Sequence, residues 1–99
     1  MTLPSERIAD HLAGRPIMVV GRAGMDIYPM PDGTRVEDAH KLVNDVGGSS
    51  GNIAVSIAKQ GHPVMLLSAV SNDGVGRFVT RSLGEYGVCL LYTSDAADE

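Results

Sequence analysis

The most restrictive stretch of this sequence is G-R-A-G-M-D-I-Y-P-M-P-D-G, residues 21–33, which directly follows the apolar run P-I-M-V-V. That run is brief, rich in β-branched residues and stopped by Gly21, the pattern of a strand buried on both faces of a parallel sheet. In a dinucleotide-binding βαβ unit the next residues would read G-x-G-x-x-G and open a helix. Here the second glycine is absent. Pro29 and Pro31 each remove a helical N–H and clash with the preceding turn. The chain must leave its first strand in extended structure, which excludes a nucleotide-dependent dehydrogenase built on that unit.

Periodicity and punctuation order the rest. Residues 5–13 read as a short helix capped by Ser5, with Ile8 and Leu12 on one face and Gly14 as its stop. Ile27-Tyr28 fits a short strand. Between Val36 and Val46, Leu42-Val43 fits another strand, but E-D-A-H-K-L-V also has helical composition. The segment 27–46 is expected to form a small flap of short strands. After a glycine-rich loop, Ile53 with Ile57 and Ala54 with Ala58 mark a helix of about ten residues, ended by Gly61 and His62-Pro63. P-V-M-L-L-S-A-V, 63–70, reads as a second buried strand. S-N-D-G-V-G is a turn in which Asp73-Gly74 caps the next helix. Val75, Phe78, Val79, Leu83 and Tyr86 mark that helix, Gly87 closes it, and a third strand is due afterwards. The predicted fold is α/β, with a mostly parallel sheet flanked by helices and a small β lid.

Chemistry concentrates in V-G-G-S-S-G-N-I-A. Gly47 and Gly48 allow close approaches that a Cβ would block. Gly51-Asn52 is read as opening a helix, whose free N–H groups favour an oxygen-rich or anionic ligand. The Asn52 amide both donates and accepts, which suits a sugar hydroxyl. A tight turn and helix cap with no ligand has the same sequence. His11, His40 and His62 lack ligand spacing and read as surface or turn residues. Ser49 and Ser50 have no partner base, so a serine nucleophile is unsupported.

Three features occur in series: a strand-end Asp in G-R-A-G-M-D, the helix-opening G-G-x-x-x-N-x-A from Gly47 to Ala54, and S-N-D-G-V-G-R-F from Ser71. In this order, from about Ile17 to Val88, the chain resembles the N-terminal part of the ribokinase-like (PfkB-type) carbohydrate kinases. The resemblance implies transfer of the γ-phosphate of ATP to a hydroxyl of a small-molecule sugar or sugar acid, with ATP and Mg²⁺ as cofactors of the intact parent. It implies that Asp26 binds substrate hydroxyls, that Gly47 and Gly48 let the backbone lie against the sugar, and that Asn52 holds another hydroxyl. The segment 27–46 would be the lid, which excludes water and limits wasteful ATP hydrolysis, and a homodimer would form through it.

The departures are informative. Many members place Asn two residues before the Asp, where this chain has Gly24. G-R-A-G-M-D-I-Y, R-V-E-D-A-H-K-L-V-N-D-V-G-G-S-S-G-N-I-A and G-R-F are more similar to the branch that phosphorylates 5-dehydro-2-deoxy-D-gluconate in inositol breakdown. Kinases of fructose, ribose or 2-keto-3-deoxygluconate, and a non-catalytic sugar-binding module, are the alternatives. For an acidic substrate, Arg22 either reads the carboxylate, as a planar guanidinium can, or pairs with a protein carboxylate at the strand end. The family's G-A-G-D motif with its catalytic Asp is absent, as is G-x-x-x-x-G-K-[ST]. The chain is therefore expected to contain no catalytic residue, no metal ligand and no nucleotide site, and to be inactive and poorly stable as an N-terminal fragment.

Composition bears on the end of the chain. Of eight basic and 12 acidic residues, Asp95, Asp98 and Glu99 lie in the last eleven, C-L-L-Y-T-S-D-A-A-D-E, leaving eight basic and nine acidic in residues 1–88, a net of −1. Cys89, the one cysteine, also lies there, so residues 1–88 hold no disulfide framework or thiolate metal site. The tail resembles the translation of a transposon-end sequencing adapter, the alternative being a natural divergent end, and residues 89–99 are expected to be non-native beyond a truncated sugar kinase domain, 1–88. Nothing in the charge points to nucleic acid or an anionic membrane. No apolar run nears the ~20 residues of a membrane span, and the N-terminus is not a secretory signal, so a cytoplasmic protein is expected.

Overall fold

A computed structural model describes residues 4–94 of the chain. Helix α1 (Pro4–Leu12) leads into strand β1 (Ile17–Val20); β2 (Gly24–Met30), a 3-10 turn (Val36–Asp38) and β3 (Lys41–Gly47) follow. Then come α2 (Ser49–Lys59), β4 (Val64–Val70), α3 (Gly74–Tyr86) and β5 (Cys89–Ser94). Asp95, Asp98 and Glu99, with the rest of 95–99, lie outside the described residues, as do residues 1–3.

The main sheet is parallel, in the order β1-β4-β5, with Ile17 beside Val64 and Met65 beside Cys89 at the start of each pairing. One face is covered. Ala54 and Val55 of α2 and Val79 and Leu83 of α3 pack with Val64, Leu66 and Val70 of β4, and Val46 and Val88 complete the cluster. Leu66 and Leu83 are fully buried, each stabilising the fold by about 1.5–3 kcal/mol. The other face carries Met18, Val20, Leu67 and Leu91, all substantially exposed.

That open face corrects the expectation that the first two strands are buried on both sides. Val64 to Val70 alternates instead, with Val64, Leu66, Ser68 and Val70 inward, because helices cover one side only. Strand β1 is an edge strand among the described residues, and Val20 is 67% exposed. The apolar face of α2 is also shifted: Ala54 and Val55 are buried while Ile53 faces out. Ser5, expected as a cap, lies inside α1 behind Pro4, which suits a first helical turn. The radius of gyration, 16.7 Å, exceeds the ~13 Å of a compact chain of this size, and the extents are 59 × 38 × 18 Å. Helix α1 has no buried residue.

The lid is the antiparallel pair β2-β3, paired from Gly24–Gly47 at its root to Met30–Lys41 at its tip. Both strands are longer than expected. The open choice at 36–46 resolves into a 3-10 turn followed by strand. Strand β5 forms from the first residues of the last eleven; pairing to β4 uses backbone groups, and the partly buried Leu90 supplies an apolar contact with the core.

Candidate substrate site

Antiparallel pairing places directly opposite residues on the same face of a ribbon. Asp26 therefore faces Asp45 across the lid. Each carboxylate receives a tyrosine hydroxyl: Tyr28 donates to Asp26 Oδ2 at 3.2 Å and Tyr86, from α3, donates to Asp45 Oδ1 at 3.4 Å. The Val46 N–H also donates to Asp45 Oδ1, at 2.7 Å. The hydrogen bond to Asp26 and its charge raise the ionisation of Tyr28 above the usual phenol range; the charge of Asp45 does the same first for Tyr86.

Gly47 is buried and lies directly beneath the Asp26 carboxylate, whose atoms fill the space a Cβ would occupy. Gly48 has φ +85° and ψ 147°, a combination available essentially to glycine alone. A Cβ there would also sit 2.8 Å from the Arg22 carbonyl. Both glycines are thus required by contacts within the protein: Gly47 by Asp26, Gly48 by the chain leaving β1. The same junction is tied by the Gly51 N–H, which donates to the Arg22 carbonyl at 3.2 Å.

Helix α2 starts earlier than expected, at Ser49 behind Gly48, so Gly51 and Asn52 stand within its first turns rather than at its opening. One of the N–H groups expected to face a ligand, that of Gly51, is instead taken by Arg22. The Asn52 N–H donates to the Gly48 carbonyl at 2.9 Å, and its side chain is exposed. Asp26, Gly47, Gly48, Asn52 and Arg22 are therefore linked in one junction through shared contacts.

Arg22 is exposed and lines a cleft of about 250 Å³ with Gly24, Ser71 and Gly76. Asp26 and Asn52 are not among that cleft's walls. Among the described residues Arg22 forms no ion pair, so the expected alternative, a protein carboxylate at the strand end, has no support there. Asp73 caps α3 as expected. Its side chain accepts from the Gly76 N–H at 2.9 Å and from the Ser71 hydroxyl at 2.6 Å, bonds that hold its carboxyl below the usual range, the Ser71 bond first. Ser50 is buried and donates to the Val20 carbonyl at 3.5 Å, a packing role. His62 Nε2 donates to the Arg15 carbonyl at 2.8 Å, a turn contact. Asp45, Tyr28 and Tyr86 were not anticipated. Tyr28 reaches Asp26 by alternation along β2, the lid register brings Asp45 opposite Asp26 and the path of α3 brings Tyr86 to Asp45, and the sequence between 36 and 46 leaves that register open.

The family profile described as pfkB family carbohydrate kinase matches residues 15–99. The chain belongs to this family. The pfkB match includes every residue of the junction and the tail, and leaves α1 outside. Among curated relatives, a 5-dehydro-2-deoxygluconokinase of Photobacterium profundum is 38% identical over 73 residues, 74% of this chain and 22% of the relative. Proteins of the same description from Clostridium tetani and Lacticaseibacillus casei are 36% and 33% identical over 72 residues, 73% of this chain and 21% and 22% of theirs. The chain spans about a fifth of the length of these relatives. Among solved structures, a PfkB protein from Polaromonas sp. JS666 superposes with a TM-score of 0.73 at 23% identity, covering 83% of this chain and 28% of that one. A fructokinase from Xylella fastidiosa with bound ATP gives 0.69 at 24% identity, with 83% and 26% covered. The ribokinase-like α/β fold with its small lid is therefore the fold of this pfkB chain.

Proposed function

We propose that this chain is the substrate-binding side of an ATP-dependent sugar kinase whose acceptor is 5-dehydro-2-deoxy-D-gluconate. The observation that carries the reading is the Asp26 carboxylate held over Gly47 at the root of the lid. A carboxylate accepts from two neighbouring hydroxyls at once, and Gly47, lacking a Cβ, leaves the room this carboxylate occupies. Asn52 binds a further hydroxyl from the first turns of α2. Arg22, which has no described carboxylate partner, reads the acid group. The curated relatives support the choice of acceptor.

Phosphoryl transfer also needs a base or positioning group, an anion hole and a metal-bound nucleotide. Among the described residues no three potential metal ligands gather. In this reading ATP and Mg²⁺ are cofactors of the parent enzyme, and the 99 residues alone are inactive.

The test is an Arg22→Ala substitution in the full-length parent enzyme, assayed with 5-dehydro-2-deoxy-D-gluconate and with neutral sugars. The expected result is a KM rise of about tenfold or more for the acid, with little change for neutral sugars. An equal loss on both would sink carboxylate reading. Preferential turnover of fructose by the unmodified enzyme would favour the fructokinase alternative.

A further inference from the structure

A second cleft, also of about 250 Å³, opens where β4 ends and α3 begins, with Ser71, Asn72, Arg77, Thr80, Arg81 and Tyr92 in its walls. It shares Val70, Ser71 and Gly76 with the cleft beside Arg22, so the two lie back to back. In open α/β sheets the carboxyl ends of parallel strands are where ligands sit.

The charge in this cleft is unusual for a chain with a formal net charge of −4. Arg77 and Arg81 are four residues apart on α3, hence neighbours on one side of the helix, and like charges at that spacing destabilise a helix. Neither lies within ion-pair distance of a described carboxylate. Asp73 is close enough to feel the charge of Arg77, yet its Oδ1 is already committed to the Ser71 hydroxyl and the Gly76 N–H. The Thr80 hydroxyl donates to the Gly76 carbonyl at 2.9 Å and the Ser71 hydroxyl donates to Asp73. Both hydroxyl protons are therefore already committed within the chain, and the side-chain donors left for a ligand are led by two guanidinium groups. Two guanidinium groups in one wall suit an acceptor-rich anion, to which their fixed N–H donors make charge-assisted hydrogen bonds.

We propose that Arg77 and Arg81 form an anion-binding site for a small oxyanion, a phosphate or a carboxylate. The site shares Val70, Ser71 and Gly76 with the cleft beside Arg22, and Asp26 lines neither cleft. Its charged groups all come from α3.

The test titrates the full 99-residue chain, nitrogen-labelled, with inorganic phosphate, gluconate and glucose at an ionic strength held constant with chloride. Saturable shifts of the Arg77 and Arg81 Nε–H signals and of the amides from Gly74 to Arg81 are expected with at least one anion, and none with glucose. Response to phosphate alone marks a phosphate site; response to gluconate alone marks a carboxylate site. Arg77→Gln and Arg81→Gln should each weaken binding by about tenfold or more. Shifts that stay linear in anion concentration, that chloride reproduces, or that survive in the double variant overturn the proposal. Because a variant could lose its fold, the unmodified chain supplies a second readout: the binding anion must raise its thermal midpoint, and no rise with either anion also overturns the proposal.

Discussion

The carboxylate of Asp26 occupies the position that a Cβ on Gly47 would need. This single relationship fixes a glycine that is not in a left-handed conformation, and it couples the floor of the junction to its acidic group. Gly47→Ala must push the carboxylate aside. Overpacking of this kind costs about 1–3 kcal/mol, readable in urea unfolding. Asp26→Ala removes the obstruction, so the double variant should be more stable than the sum of the two single effects predicts, by ~0.5 kcal/mol or more. Strict additivity would show that the two residues do not compete for space.

Gly48 is constrained differently, by its dihedral angles and by the Arg22 backbone. Gly14 also has positive φ, +71°, but nothing lies within 4 Å of its would-be Cβ. Gly14→Ala should therefore cost about 1–2 kcal/mol, the ordinary left-handed penalty. Gly48→Ala should cost more, since a carbonyl cannot yield without moving the turn after β1. Equal midpoints for the two variants would contradict the close approach.

Asp73 carries a pH dependence. Its folded-state ionisation lies below its unfolded value of about 3.9, because the Ser71 hydroxyl and then the Gly76 amide favour the carboxylate. A depressed carboxyl stabilises the fold above its unfolded value, and the contribution is lost as pH falls through the folded one. Asp73→Ala should lower the thermal midpoint at neutral pH and converge with the unmodified chain in acid. Parallel melting curves from neutral to acid pH would argue against the cap.

Tyr28 and Tyr86 titrate in the opposite sense. Each hydroxyl donates to a carboxylate, so its phenolate forms above the usual value of about 10. The stabilisation is complete below that value and fades as pH rises through the folded ones. Phenolate absorbance should show late ionisation. Asp26→Asn should advance Tyr28 alone, and Asp45→Asn chiefly Tyr86. An advance of Tyr86 on Asp26→Asn as large as that of Tyr28 would disprove the separate pairings.

In the core, Leu66→Ala should cost about 2–5 kcal/mol. Leu66 is fully buried on the central strand between the two helices, and a chain with one covered sheet face has little reserve. Retention of a cooperative melt with an unchanged midpoint would show that the sheet packs elsewhere.

The order of elements is legible because glycine and proline mark their ends: Gly14 after α1, Gly61 after α2, and Gly87, left-handed at φ 94°, after α3. Pro29 and Pro31 announce the lid. Residues 36–46 are not legible, because E-D-A-H-K-L-V suits a helix or a strand equally and only pairing to β2 decides. For the same reason Asp45 does not stand out. Its meaning is a register relation to Asp26, and its local neighbours do not reveal it. The burial of β1 is overstated by its sequence because an apolar run fits a strand that could be covered on both sides, and cover depends on what else packs there.

The paired root and distant tip of the lid give it the mechanics of a lever. From the Gly24–Gly47 pair to the Met30–Lys41 pair, the two arms are joined by a continuous backbone ladder. With ~3.4 Å of rise per residue, a pivot of about 10° at the root would carry the tip roughly 3–4 Å. Tyr86 grips Asp45 near the fulcrum, so that hydroxyl resists rotation with little mechanical advantage, and a small displacement there is magnified at the far end.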